Sequence, residues 1–145
     1  MTAKQYLSTL AKIQLHIEKL TAEVEGMRAR LESPAMLNSS EKVQSSVEGD
    51  RFAGLVAQIV DAERERQEKL LRYQVMRDRI VSEILSLDNE QYSRVLYDHY
   101  VACKPLKDIA EEQHYNYYWV CHIHGLALQS FSEKYKDRKQ PQLTL

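Results

Sequence analysis

The chain has 145 residues, of which 43% are hydrophobic and 28% charged, with a net charge of −1, 4 Gly and 3 Pro. That gives room for one domain or two small ones, with few helix breakers, in a composition ordinary for a soluble protein. No apolar run approaches the ~20 residues of a membrane span, and the start Met1-Thr2-Ala3-Lys4-Gln5 lacks the apolar core of a signal peptide.

A cytoplasmic protein is therefore expected, with Cys103 and Cys121 reduced rather than joined. Residues 3 to 32 carry one uninterrupted helical pattern. Ala3, Leu10, Ile17, Val24 and Leu31 recur every seven residues, and Tyr6, Ile13, Leu20 and Met27 follow the same period three positions later. This is a coiled-coil seam, with Lys12, Glu18, Lys19, Glu23, Glu25 and Arg28 outside it. So narrow an apolar stripe needs a partner helix, and Leu10, Ile17, Leu20, Val24 and Leu31 are the expected dimerisation residues.

Residues 33 to 50 change character. Ser33, Ser39, Ser40, Ser45 and Ser46 stand with Pro34 and Gly49 and few large apolar side chains, so a flexible linker is expected. A second long helix is expected over 51–87. Phe52, Ile59, Tyr73, Ile80 and Leu87 keep the seven-residue register, Arg66 interrupts it, and Leu55, Val56, Leu70, Met76 and Ile84 widen the stripe. Its middle, residues 61 to 69, reads as a solvated charged surface. The two long helices can close on each other as an antiparallel hairpin or pair between two chains, and the pattern alone does not choose.

Residues 88–136 read as helix, short helix, turn and long helix. Asp88 is the expected N-cap with Gln91 at the capping-box position, and Tyr92, Val95, Leu96 and Tyr100 form the inner face. Pro105 suits the first position of the next helix, 106–112. A turn at Gln113-His114-Tyr115 follows, then Asn116 as N-cap, then a stripe of Val120, Ile123, Ala127, Leu128 and Phe131. This is a helix-turn-helix, whose second helix commonly enters the DNA major groove. Residues 137–145 are a tail.

From Asp88 onward there are seven Lys/Arg against eight Asp/Glu, so this part is not basic and should bind DNA only weakly by itself. The residues expected to reach bases are Asn116, Tyr117, Tyr118, Trp119 and His122; those expected on phosphates are Lys104, Lys107, Lys134, Lys136, Arg138 and Lys139. The Tyr-Tyr-Trp run also suits an aromatic anchor on a protein, or simple packing on the preceding helices. Cys121 and His124, with Cys103, His99, His114 and His122 nearby, match no closed zinc signature. No Gly-rich phosphate loop and no grouping of nucleophile, base and orienting residue is present, so neither an enzyme nor a cofactor is expected.

The run Leu87-Asp88…Tyr92…Arg94-Val95-Leu96…Tyr100, then Asp108-Ile109-Ala110-Glu111, then Val120…His124-Gly125…Ala127-Leu128, resembles region four of bacterial sigma factors. With the linker motif Val43-Gln44-Ser45-Ser46 and Asp50-Arg51 after it, nearly the whole chain is similar to small phage and prophage late-gene regulators of Gram-positive bacteria, of the RinA and ArpU type. The chain departs from that pattern at Asn116, where Ser is usual, at Tyr118 and His122, where the family carries Arg, at His114, where Gly is usual, and at Leu126, where Glu is common. Losing both arginines removes the commonest guanine readers.

The resemblance implies an all-α transcriptional regulator: a long N-terminal coiled-coil or hairpin followed by a sigma-region-four-like helix-turn-helix. Its implied partners are promoter DNA and host RNA polymerase; the heptad seam adds a second copy of the chain, and no membrane or small-molecule substrate is expected. The alternative is a protein-interaction module that uses the same fold without reading DNA.

Overall fold

A computed structural model of the chain describes residues 1–33 and 46–136. Every regular element among them is helical, and no helix among these residues is long and apolar enough to cross a membrane. The linker motif at residues 43–45, and Arg138 and Lys139 of the tail, lie outside the described residues. Two compact units divide the chain: Met1–Ala11 with everything from Val75 onward, and Lys12–Gln74.

The first helix is not continuous. Helix α1 (Ala3–Leu7) opens on a reciprocal cap, with the Gln5 backbone N–H donating to Thr2 Oγ1 at 3.2 Å and the Thr2 N–H donating to Gln5 Oε1 at 2.9 Å. Ser8 then breaks the path, and α2 covers Thr9–Leu31. Hydroxyls crowd the break: Ser8 Oγ donates to the Lys4 carbonyl, which also accepts the Ser8 N–H at 3.0 Å, and Thr9 Oγ1 donates to the Tyr6 carbonyl, both hydroxyl bonds at 2.6 Å.

Helix α3 runs over Ser46–Leu85, so it begins inside the segment expected to be a linker. In the Lys12–Gln74 unit, α2 and α3 lie antiparallel. Arg28 pairs with Glu63, while Arg66 Nη1 donates to Thr21 Oγ1 at 3.3 Å, so the partner number rises as the α2 number falls. Val24, Leu55 and Ile59 are buried together, with Met27, Leu31 and Ala62 packed against them. The seam expected to hold two chains is thus covered within one. Leu10 and Val24 are buried in their own units, Ile17, Leu20 and Leu31 are partly so, and these five residues do not form an open dimerisation face. Arg66, which interrupts the heptad, does so on the packed side, with its Nε buried.

The other unit is built around the second half of the chain. Helix α4 covers Glu90–Leu96 and continues as a π-helical turn over Tyr97–Val101. Its cap is Asn89 rather than Asp88: Asn89 is the residue in extended conformation, and its Oδ1 accepts from the Gln91 and Tyr92 N–H groups at 2.9 and 3.3 Å. Ser93 Oγ donates to the Ile84 carbonyl at 3.0 Å, tying α4 to the end of α3. After Cys103 in the left-handed region (φ 57°), Pro105 precedes rather than opens α5 (Leu106–Gln113). Helix α6 covers Tyr117–Tyr135.

The core of this unit draws on both chain ends. Ile80, Ile84, Leu87, Val95, Leu96, Tyr100, Ile109, Val120, Ile123, Ala127 and Phe131 are buried, and so are Tyr6, Leu7 and Leu10. The Tyr6 ring stacks on Phe131 at a centroid distance of 6.1 Å, and its hydroxyl donates to Glu83 Oε1 at 3.0 Å. Arg79 Nε meets the same oxygen at 3.1 Å, so this buried carboxylate is held by both a hydroxyl and a cation.

Candidate nucleic-acid interface

The end of α5 requires a sharp reversal. His114 takes the left-handed conformation (φ 57°, ψ 36°) that closes a helix, and its N–H donates to the Glu111 carbonyl at 3.3 Å. The Tyr115 N–H reaches back to the Ala110 carbonyl at 2.9 Å. Asn116 then caps α6, its Oδ1 accepting from the Tyr118 N–H at 2.8 Å. Ile109, Ala110 and Val120 are buried together, with Leu106 against them, and this cluster fixes α6 on α5.

With Val120 turned inward, the residues around it face outward. Tyr115, Tyr117, Tyr118 and Trp119 are all exposed, Tyr118 at 79%, and His122 is exposed one turn on. The run is therefore a surface and not core packing. Tyr117 and Tyr118 meet edge to face at 5.8 Å, and Trp119 leans on His122 at 5.9 Å. A hydrogen bond with the Cys121 thiol one turn along raises the Tyr117 hydroxyl above its ordinary pKa. The inner edge of Trp119 lines a depression of about 40 Å³ with Gln91, Arg94, Val95, Gln113 and Tyr115. Gln91 and Arg94 belong to this surface, although the sequence marks them only as a capping-box position and a motif residue and not as DNA contacts. Their signal is the three-residue spacing on α4, which puts both on one face.

The expected phosphate contacts separate. Lys104 Nζ is paired with Glu112 at 2.8 Å, and that hydrogen bond and charge raise the lysine's pKa. Lys107 is exposed on α5. Lys134 Nζ instead donates to the Ser86 carbonyl. Lys134 and Lys136 stand at the other end of α6, some ~25 Å along the helix from Tyr117 at 1.5 Å per residue, and do not share its surface. Arg94 lines the depression beside Trp119, at the aromatic start.

Behind this surface lies a second polar group. The π turn places His99 and Tyr100 against His124: Tyr100 Oη is 2.8 Å from His124 Nε2, and the two histidine rings meet edge to face at 5.2 Å. His99 Nδ1 donates to the Lys104 carbonyl at 2.8 Å. Burial, with smaller effects from His99 and Lys4, lowers His124 to about 4, and burial raises Tyr100 to about 12. Both are neutral near pH 7. Among the described residues, no three His, Cys, Asp or Glu side chains converge as metal ligands. Comparison with known families, characterised proteins and solved structures returns no match.

Proposed function

We propose that this chain is a transcriptional regulator of the sigma-region-four-like, phage late-gene type, reaching promoter DNA through the start of α6 and working beside host RNA polymerase. The observation that carries the reading is the solvent-facing set Tyr117, Tyr118, Trp119 and His122 at the opening of a helix whose inner face is fixed on α5 by Val120. A helix so presented aims its N-terminal dipole and its first side chains outward, as a groove-reading helix does. In this reading tyrosine and tryptophan supply thymine-methyl and sugar–phosphate contacts, and Arg94 beside Trp119 and the exposed Lys107 supply phosphate contacts.

With Lys104 already paired to Glu112, few cations remain for phosphates, so affinity is modest and its salt dependence shallow, at about 0.9 in log–log slope per contact. The same pairing favours a second reading. An aromatic surface poor in free cations also suits docking on a protein such as RNA polymerase, with Trp119 as anchor.

Selection from a random duplex DNA library distinguishes the two. The regulator reading expects a recurrent short sequence enriched by the wild-type chain and lost with Tyr118→Ala or His122→Ala. Selection that yields no recurrent sequence overturns direct DNA reading.

A further inference from the structure

On α3, the side turned away from α2 is open and carries exposed aliphatic side chains on both sides of a polar middle. Leu71 is 65% exposed, Val75 62%, Val60 48% and Val56 37%. Scattered exposed aliphatics are ordinary, but these four lie on one stripe. In chain order the stripe reads Val56, Val60, Arg64, Gln67, Leu71, Val75, with steps of four, four, three, four and four residues. At 3.6 residues per turn it spans about 100° of the helix surface. The face packed on α2 carries Leu55, Ile59 and Ala62, on the opposite side.

The stripe is symmetric about the point midway between Glu65 and Arg66. Val56 precedes that point by as many residues as Val75 follows it. Val60 and Leu71 match in the same way, and so do Arg64 and Gln67. A second copy of α3 laid antiparallel across this point therefore sets aliphatic against aliphatic at four places and polar against polar in the middle. Glu68, next to Gln67, then lies one residue off level with Arg64 of the second copy and on the same edge of the stripe, while Glu63 of that copy, which is level with Glu68, lies on the other edge; two-fold symmetry makes the Arg64–Glu68 pair twice. A parallel, in-register pairing would instead set Arg64 against Arg64 and Glu68 against Glu68, which repel. A polar centre flanked by aliphatics is also the pattern that fixes register in paired helices.

We propose that the outer face of α3 is the dimerisation surface of this protein, binding a second copy antiparallel through Val56, Val60, Leu71 and Val75, with Arg64–Glu68 pairs at the centre. Self-association through this face does not depend on what α6 binds, and it uses the side of α3 left open where the α2 seam is covered.

Sedimentation equilibrium of the full chain at tens of micromolar should give twice the chain mass, and Leu71→Arg should weaken association by about tenfold or more. Arg64→Glu should weaken it too, and adding Glu68→Arg in the same chain should restore it; Leu71 and Arg64 are exposed, and retained helicity by circular dichroism shows that the variants fold. In a Cys103→Ser, Cys121→Ser background, Val60→Cys chains mixed with Leu71→Cys chains should crosslink on mild oxidation, while each alone should not. A wild-type monomer at these concentrations, an unrestored charge reversal, or Leu71→Cys chains that crosslink to themselves would each overturn the proposal.

Discussion

His124 holds its proton differently in the folded and unfolded chain. Folded, it titrates at about 4 because burial disfavours the imidazolium; unfolded, it returns to the ordinary 6.5. As pH falls below 6.5 the unfolded chain takes up a proton that the folded chain refuses until about 4. The stabilising effect of neutral His124 is therefore fully present above pH 6.5 and is lost progressively toward pH 4. Each unit is worth about 1.4 kcal/mol, but the ring is only half-buried and solvent screens it, so the expected loss by pH ~5 is on the order of 1 kcal/mol. Urea unfolding at a series of pH values should show this slope in the wild type and a smaller one in His124→Phe. Equal slopes would place the titrating group elsewhere. Other single residues differ in how far their type announces their place. A histidine between two helices, where a glycine is usual, already marks the turn at His114. Nothing in the identity of Cys103 marks its left-handed backbone, which follows from the π turn before it and the Lys104 N–H closing on the Asp98 carbonyl at 2.9 Å.

At the scale of elements, the α5–α6 pair rests on a small shared core. Ile109 is fully buried and Val120 nearly so, with Ala110 in the same cluster and Leu106 packed against it. An aspartate at either position would leave a carboxylate with no partner, a penalty of several kcal/mol and on the order of the stability of a small domain. We expect Ile109→Asp and Val120→Asp to abolish the cooperative thermal transition of the unit while α2 and α3 retain helicity, as read by circular dichroism. A variant with the wild-type transition would refute this packing. These helices were readable because apolar period, cap and turn agree: Asn116, Val120, Ile123, Ala127 and Phe131 all fall where the pattern places them. The N-terminal helix was misread because a seven-residue repeat ignores hydroxyls. Ala3, Tyr6, Leu10 and Ile13 continue the repeat across Ser8 and Thr9, whose hydroxyls bond the Lys4 and Tyr6 carbonyls at the break, and the fully buried Leu7 lies outside the repeat. The start of α3 at Ser46 was hidden by serines and a glycine that read as linker.

At the scale of the molecule, the division of the chain differs from its order. Cutting before residue 88 follows composition, but the C-terminal unit also takes in Met1–Ala11 and the end of α3 from Val75. Tyr6 on Phe131 and on Glu83 is a contact between distant parts of the chain, and no local pattern can announce it. The surface at the start of α6 was legible as residue types, whereas its exposure and the loss of Lys134 and Lys136 to the far end of the helix required the fold. Trp119 is the single tryptophan of the chain, so its fluorescence reports this surface alone. The measurement that tests the proposed function most directly is a titration of the protein with a dye-labelled DNA duplex recovered by selection, following Trp119 emission and the anisotropy of the dye together. If the start of α6 contacts DNA, Trp119 emission changes saturably with the same midpoint as the anisotropy, and Tyr118→Ala weakens both. If anisotropy reports binding while Trp119 emission stays constant, DNA is held elsewhere and the α6 surface is not the reading head.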